Sequence, residues 1–327
     1  MHGGGRECVL RIGTLRLEAI THLVGARVLV TGATGLIGSY VLRLLARRAD
    51  VVASSRFVRP SVGGVRWLTC DLAQPGAAGE LIDRVRPHVV IHLAGEVRGD
   101  RSLEAVAPTL RANLVDTVEL LEAAVRVGCR RIVLSGSLLE EPATGGAGAV
   151  PSSPYGASRW ASSSYGRMFH TLFDAPVVIL RPSFVYGPGQ ESSKLIPHVI
   201  TSLLDGESPQ LSSGERLLDC VYAEDVARAY ITAASAEGVD GRTIDIGCGM
   251  LTPVREIVRL IVESVGPTAG RPIFGAVPVR PLERELKVDV EETARVLRWR
   301  ATTSLEDGVR ATVGWFRDQR TPTPVAS

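Results

Sequence analysis

Between the β-branched run RVLVTG (27–32) and the apolar-periodic LIGSYVLRLLARRA (36–49), the segment TGATGLIG spaces three glycines evenly, at Gly32, Gly35 and Gly38. A strand that ends in glycine and passes directly into a helix leaves backbone amides pointing outward at the helix N-terminus, where a pyrophosphate is held. That context, more than the glycine spacing itself, marks a dinucleotide-binding turn. It assigns Gly32, Thr34, Gly35, Leu36, Ile37 and Gly38 to the cofactor.

The rhythm continues through the first half of the chain. DVVAS (50–54), VRWLTCDL (65–72), HVVIHLAG (88–95), RRIVLSGS (130–137) and PVVILRPS (176–183) read as strands. Between them lie the helical GELIDRVR (79–86), LRANLVDTVELLEAAVRVG (110–128) and a helix opened by Tyr155. Strands that are continuous apolar runs, alternating with helices, predict a parallel sheet covered on both faces: a Rossmann-type, doubly wound α/β fold. After residue 183 the pattern breaks into VYGPGQESS and DGESPQLSSGE. The expected organisation is an extension over 1–25, a dinucleotide-binding domain over 26–183 and a smaller C-terminal α/β substrate-binding lobe over 184–320. Some of the lobe's segments return to the first domain, and 321–327 reads as a disordered tail.

Of the 327 residues, 37 are basic and 35 acidic, a net charge of +2 without the basic stripe that nucleic acid needs. The five cysteines never form a Cys-x-x-Cys pair, so no metal site or disulfide framework is expected. Neither a membrane-spanning run nor a signal peptide is read, which predicts a cytoplasmic protein. Only Lys194 and Lys287 are lysines; every other basic residue is arginine.

At the end of the second strand, an acidic residue would hold the adenosine ribose 2′-hydroxyl of NAD. The chain instead has Ser54, Ser55 and Arg56 there, groups that bind a 2′-phosphate, so NADPH is expected rather than NADH. Asp71 and Leu72 follow the third strand and are placed to meet the adenine edge, although an Asp there also suits a helix cap.

Several separated motifs together resemble the extended short-chain dehydrogenase/reductase family, in its branch of nucleotide-diphosphate-sugar epimerases, dehydratases and ketoreductases. They are TGATGLIG, CDL (70–72), VVIHLAG (89–95), Asn113 before a long helix, VLSGS (133–137), PYGASR (154–159) and LRPSFVYGPG (180–189). GERLLDCVYAEDVARA (214–229), RPLERELKVDVEETARVLRW (280–299) and TSLEDGV (303–309) extend the resemblance into the second lobe. The resemblance implies a catalytic set of Ser137, Tyr155 and position 159. Ketone reduction needs a proton on oxygen as well as a hydride on carbon, so Tyr155 gives the proton, Ser137 hydrogen-bonds the same oxygen and a cation stabilises the tyrosinate. It also places Leu93, Ala94, Gly95, Ser135, Tyr155, Arg159, Pro182 and Val185 at the cofactor, Asn113 at a backbone-ordering or cofactor-side position, and Ser137, Phe184, Lys194, Arg216 and Arg280 at the substrate. A homodimer through two long helices per subunit is implied as well.

The chain departs from that pattern in informative places. Arg159 stands where the family has lysine, which leaves open a functional arginine, a tolerated drift in an arginine-rich chain, or lost chemistry. LLE follows Ser137 in place of the Asp-Glu pair of sugar 4,6-dehydratases, and only Glu140 or Glu141 remains to replace it. Phe184 replaces an asparagine and Leu218 an arginine that meets the diphosphate, a loss for which Arg216 or Arg280 can compensate. Because NADPH is normally consumed in net reduction, the expectation is an NADPH-dependent ketoreductase of a nucleotide-diphosphate keto-deoxysugar, acting at C4. The alternatives are an NAD-dependent nucleotide-sugar 4-epimerase and a non-catalytic NADPH sensor.

Overall fold

A computed structural model describes residues 23–61, 63–140, 150–267 and 270–320. The expected N-terminal extension, apart from its last three residues, and the expected tail lie outside these residues, as does Glu141. Seven strands form one parallel sheet: β1 (Arg27–Thr31), β2 (Asp50–Ser55), β3 (Val65–Thr69), β4 (Val89–His92), β5 (Arg131–Ser135), β6 (Val177–Pro182) and β10 (Thr243–Ile246). Their spatial order is β10-β6-β5-β4-β1-β2-β3. β1 therefore has β2 on one side and β4 on the other, and the winding reverses there, opening a crevice at the carboxyl ends of the strands.

Alternation along β1 shows why both faces are buried. Val28 and Val30 join Val41 and Leu45 of helix α1 (Leu36–Leu45) in one apolar cluster, while Leu29 turns to the opposite cluster with Ile82, Leu120 and Leu121. Ile82 comes from α2 (Ala77–Val85). The long helical stretch expected from residue 110 is not one regular helix. A short helix α3 (Val106–Leu110) runs through a wide π turn, Arg111–Val115, into α4 (Asp116–Arg126). The π turn surrounds Asn113, whose side chain is committed to another segment.

Helix α5 (Pro154–Phe173) starts sharply because Ser153 caps it, accepting from the Gly156 amide at 3.1 Å, with Pro154 in the first turn. In the second lobe, β7 (Phe184–Tyr186), β9 (Leu217–Tyr222) and β11 (Leu251–Pro253) form a three-stranded sheet. Helices α6 (Leu195–Leu204), α8 (Val254–Val265) and α10 (Leu305–Asp318) share its core, with Ile196, Ile257 and Val313 fully buried. Helix α7 (Ala223–Ser235) packs beside α1 on the main sheet, and α9 (Val290–Leu297) lies against β10. β8 (Gln210–Leu211) pairs with β12 (Ile273–Phe274). No helix among the described residues is long and apolar enough to cross a membrane.

Candidate active site

The strands end earlier than their apolar runs suggest, and the freed residues become the site. β4 stops at His92, β5 at Ser135 and β3 at Thr69, so Leu93 to Gly95, Gly136 with Ser137, and Asp71 with Leu72 lie in loops around one cleft of about 1340 Å³. The glycine turn and the start of α1 form one end of its floor. A Cβ on Gly38 would sit 2.3 Å from the Gly32 carbonyl oxygen, so the turn and helix touch backbone to backbone. Helix α1 has no side-chain cap, which leaves its first amides for an outside acceptor. This cradle suits a dinucleotide pyrophosphate.

Every residue assigned from the sequence to cofactor, substrate or catalysis lines this cleft except Asn113. Asn113 is fully buried and, of its two expected roles, takes the backbone-ordering one. Its Oδ1 accepts from the Glu96 amide at 2.8 Å, and its Nδ2 donates to the Glu96 carbonyl and to Ser158 Oγ, each at 3.0 Å. It thereby clamps the loop after β4 to α5, one turn from Tyr155. Beneath this clamp His92 bridges Thr31 Oγ1 at 2.7 Å and Thr117 Oγ1 at 3.0 Å. Burial, with the Arg159 charge in support, pushes His92 down to about 3, so it is a neutral strut. Sequence reasoning missed it because an apolar strand carrying one histidine gives no signal of its partners.

Tyr155 opens onto the cleft, and the Arg159 guanidinium carbon lies 5.6 Å from its ring centroid. Arg159 is 2% exposed and donates from Nη1 to the Ser135 carbonyl at 2.7 Å. Ser137 Oγ accepts from the Leu139 amide at 3.2 Å, which leaves its own proton to give. Glu140, considered above as a replacement acid or base, faces away from the cleft: it is buried and its Oε1 accepts from the Ser137 amide at 2.7 Å. Burial raises its carboxyl above the usual range, while Ser163, the Ser137 amide and two arginines pull the other way. At the other end of the cleft, Asp116 sits close to Asp71, and burial pushes its carboxyl up to about 7. No motif had marked it.

The substrate end is basic and tied to the loop after β4. Lys194 Nζ donates to the Val97 carbonyl at 2.9 Å, Arg101 donates to the Pro281 carbonyl, and Arg280 Nη1 approaches Gly99. Arg216 lines the cleft but pairs with Glu283 at 2.9 Å, and burial disfavours its charge. Leu218 and Phe184 add apolar surface.

The model of the NAD dependent epimerase/dehydratase family matches residues 28–247. The chain is 30% identical over 318 residues to a dTDP-glucose 4,6-dehydratase of Actinoplanes sp., covering 90% of this chain and 98% of that protein. To a UDP-glucose 4-epimerase of Mycolicibacterium smegmatis it is 29% identical over 314 residues, 90% of this chain and 99% of that one. The structure of a UDP-glucose 4-epimerase of Thermus thermophilus in complex with NAD superimposes with a TM-score of 0.77 at 26% identity, covering 89% of this chain and 99% of that chain.

These matches correct the expectation of NADPH, and with it the choice of a ketoreductase over an epimerase, which rested on NADPH being consumed. The physical reason lies at β2. Ser54 and Ser55 are buried, and Ser55 Oγ accepts from the Phe57 amide at 3.2 Å. Arg56 is exposed, with its guanidinium 6.0 Å from the Phe57 ring centroid. The three residues that read as a phosphate site are thus two buried hydroxyls, one of them accepting from backbone, and one exposed arginine on the cleft wall.

Proposed function

The chain belongs to the NAD dependent epimerase/dehydratase family, and from that premise we propose that it is an NAD-dependent 4-epimerase of a nucleotide-diphosphate sugar. The observation that carries epimerase over dehydratase is Glu140, whose carboxylate is folded under Ser137 onto that residue's own amide. Expelling water from the sugar needs an acid and a base facing the ring, and LLE supplies neither to the cleft.

NAD, when bound along the glycine turn and Asp71, supplies a hydride acceptor and donor at the sugar's C4. Tyr155 takes the proton of the C4 hydroxyl as base and returns it as acid, while Ser137 donates to the same oxygen. Arg159 provides the positive charge beside the phenolate, in the role that the family gives to lysine. Arg280 and Arg216 hold the diphosphate, leaving the sugar free to present its other face. With added NAD, the purified protein interconverts UDP-glucose and UDP-galactose without net NADH formation, read by chromatography of the nucleotide sugars. Formation of a 4-keto-6-deoxy product from dTDP-glucose, or tighter binding of NADP than of NAD, would overturn this reading.

The assembly we propose is a homodimer. Leu103, Val106 and Leu110 are exposed before and along α3, and Trp160, Tyr165 and Leu172 along α5, which packs against α3. Soluble chains rarely leave so many large apolar side chains open on neighbouring helices. Leu172→Glu combined with Trp160→Arg gives a monomer in sedimentation equilibrium where the unmodified chain gives a dimer; a monomer in both sinks the assignment.

A further inference from the structure

We propose that Tyr230, on α7, is a positioning residue for Arg159, and that with Gly95 it makes position 159 a site built for arginine rather than one that tolerates it. The guanidinium fills a slot with fixed walls. One wall is the Ser135 carbonyl, which takes Nη1 at 2.7 Å. Another is the bare backbone of Gly95, where an added Cβ would stand 2.3 Å from Nη2 and 3.1 Å from Cζ. The second nitrogen therefore occupies volume that any side chain at residue 95 would claim. Lysine has one nitrogen and no planar fork, so it would leave that volume empty and meet at most one wall.

Ser135 is itself held at its side chain. Tyr230 is 0% exposed within the apolar cluster of α1 and α7, and its hydroxyl donates to Ser135 Oγ at 2.8 Å. Phenylalanine would pack there as well, whereas a buried hydroxyl is unfavourable unless it finds a partner. Burial keeps the Tyr230 phenol protonated, so it remains a donor at any working pH. The residue that offers its carbonyl to Arg159 is thus fixed at its hydroxyl by Tyr230. Arg159 Nε, buried and without a hydrogen-bond partner among the described residues, is the cost of this fit.

The inference rests on the epimerase reading for its turnover arm only. Arg159→Lys lowers kcat at least tenfold, and Tyr230→Phe lowers it about fivefold with KM for the nucleotide sugar unchanged. The double variant turns over no more slowly than Arg159→Lys alone, because the hydroxyl acts through the guanidinium. Lysine at or above the unmodified turnover, or effects that multiply in the double variant, would refute the proposal. The second arm uses the free protein. The Arg159 Nε–H, identified in an isotope-labelled sample by its loss in Arg159→Lys, exchanges slowly with solvent, and Tyr230→Phe speeds its exchange at least tenfold. Unchanged exchange refutes the cradle. Faster exchange with no turnover of nucleotide sugars by the unmodified protein leaves the cradle standing and places the error in the substrate.

Discussion

Tyr155→Phe lowers epimerase turnover by about 10³-fold, within the range that a positioned general acid or base supplies. The phenyl ring keeps its place, because the start of α5 is fixed by Ser153 and Pro154 and not by the phenol. NAD affinity and thermal midpoint should therefore stay close to those of the unmodified protein, and the loss should fall on kcat. Two titratable groups packed behind Ser137 and the loop after β4 are already engaged. Glu140 is bound to the Ser137 amide and His92 is enclosed between two threonines, so neither can replace the missing hydroxyl. Steady-state kinetics on UDP-galactose decides this. A variant retaining a tenth or more of normal turnover would mean that the proton moves by another group.

The fold was legible because its signals are local. Alternating apolar runs and the glycine turn fix a wound parallel sheet, and the registers that follow are those of neighbouring strands. The lining of the cleft was legible for the same reason, since loops at the carboxyl ends of parallel strands converge. Partners were not legible. Asn113 was read as a backbone-ordering or cofactor-side position, but nothing in the motif named what it holds: Glu96 and Ser158, residues 17 and 45 positions away. Tyr230 lies 95 residues beyond Ser135 and carries no motif. The cofactor was misread because Ser54, Ser55 and Arg56 were taken as three free groups, while the structure gives Ser55 to backbone and leaves Arg56 exposed on the cleft wall.

That error shows how the reaction depends on where each polar group is already engaged. A carboxylate three residues from Ser137 suggests elimination only if it faces the sugar, and Glu140 is bound to the loop that carries it. Arginine in place of lysine suggests lost chemistry only if the site was shaped for lysine, and the space at Gly95 is filled by a guanidinium nitrogen. Both departures from the family pattern become consistent with epimerisation once their hydrogen bonds are assigned.

The same accounting identifies Asp219 as the joint on which the substrate side depends. Its Oδ1 accepts from the Cys248 amide at 2.8 Å, and its Oδ2 accepts from the amides of Gly249 and Val288, each at 3.0 Å. One buried carboxylate on β9 thus ties the turn after β10 and the segment leading into α9 to the wall of the cleft. Asp219→Ala strands three backbone donors that solvent reaches poorly, at a cost of about 3 kcal/mol or more. The thermal midpoint falls by about 5 °C. Asp219→Asn keeps one acceptor oxygen but presents an amide group to the remaining donors, and recovers less than half of that loss. Because the freed segments border Arg280 and Glu283, KM for the nucleotide sugar rises more than kcat falls in the folded fraction of either variant. Calorimetry with parallel kinetics reads both effects. A midpoint within about 2 °C of the unmodified chain for Asp219→Ala would show that the three amides find other acceptors and that the lobe is held by its apolar core alone.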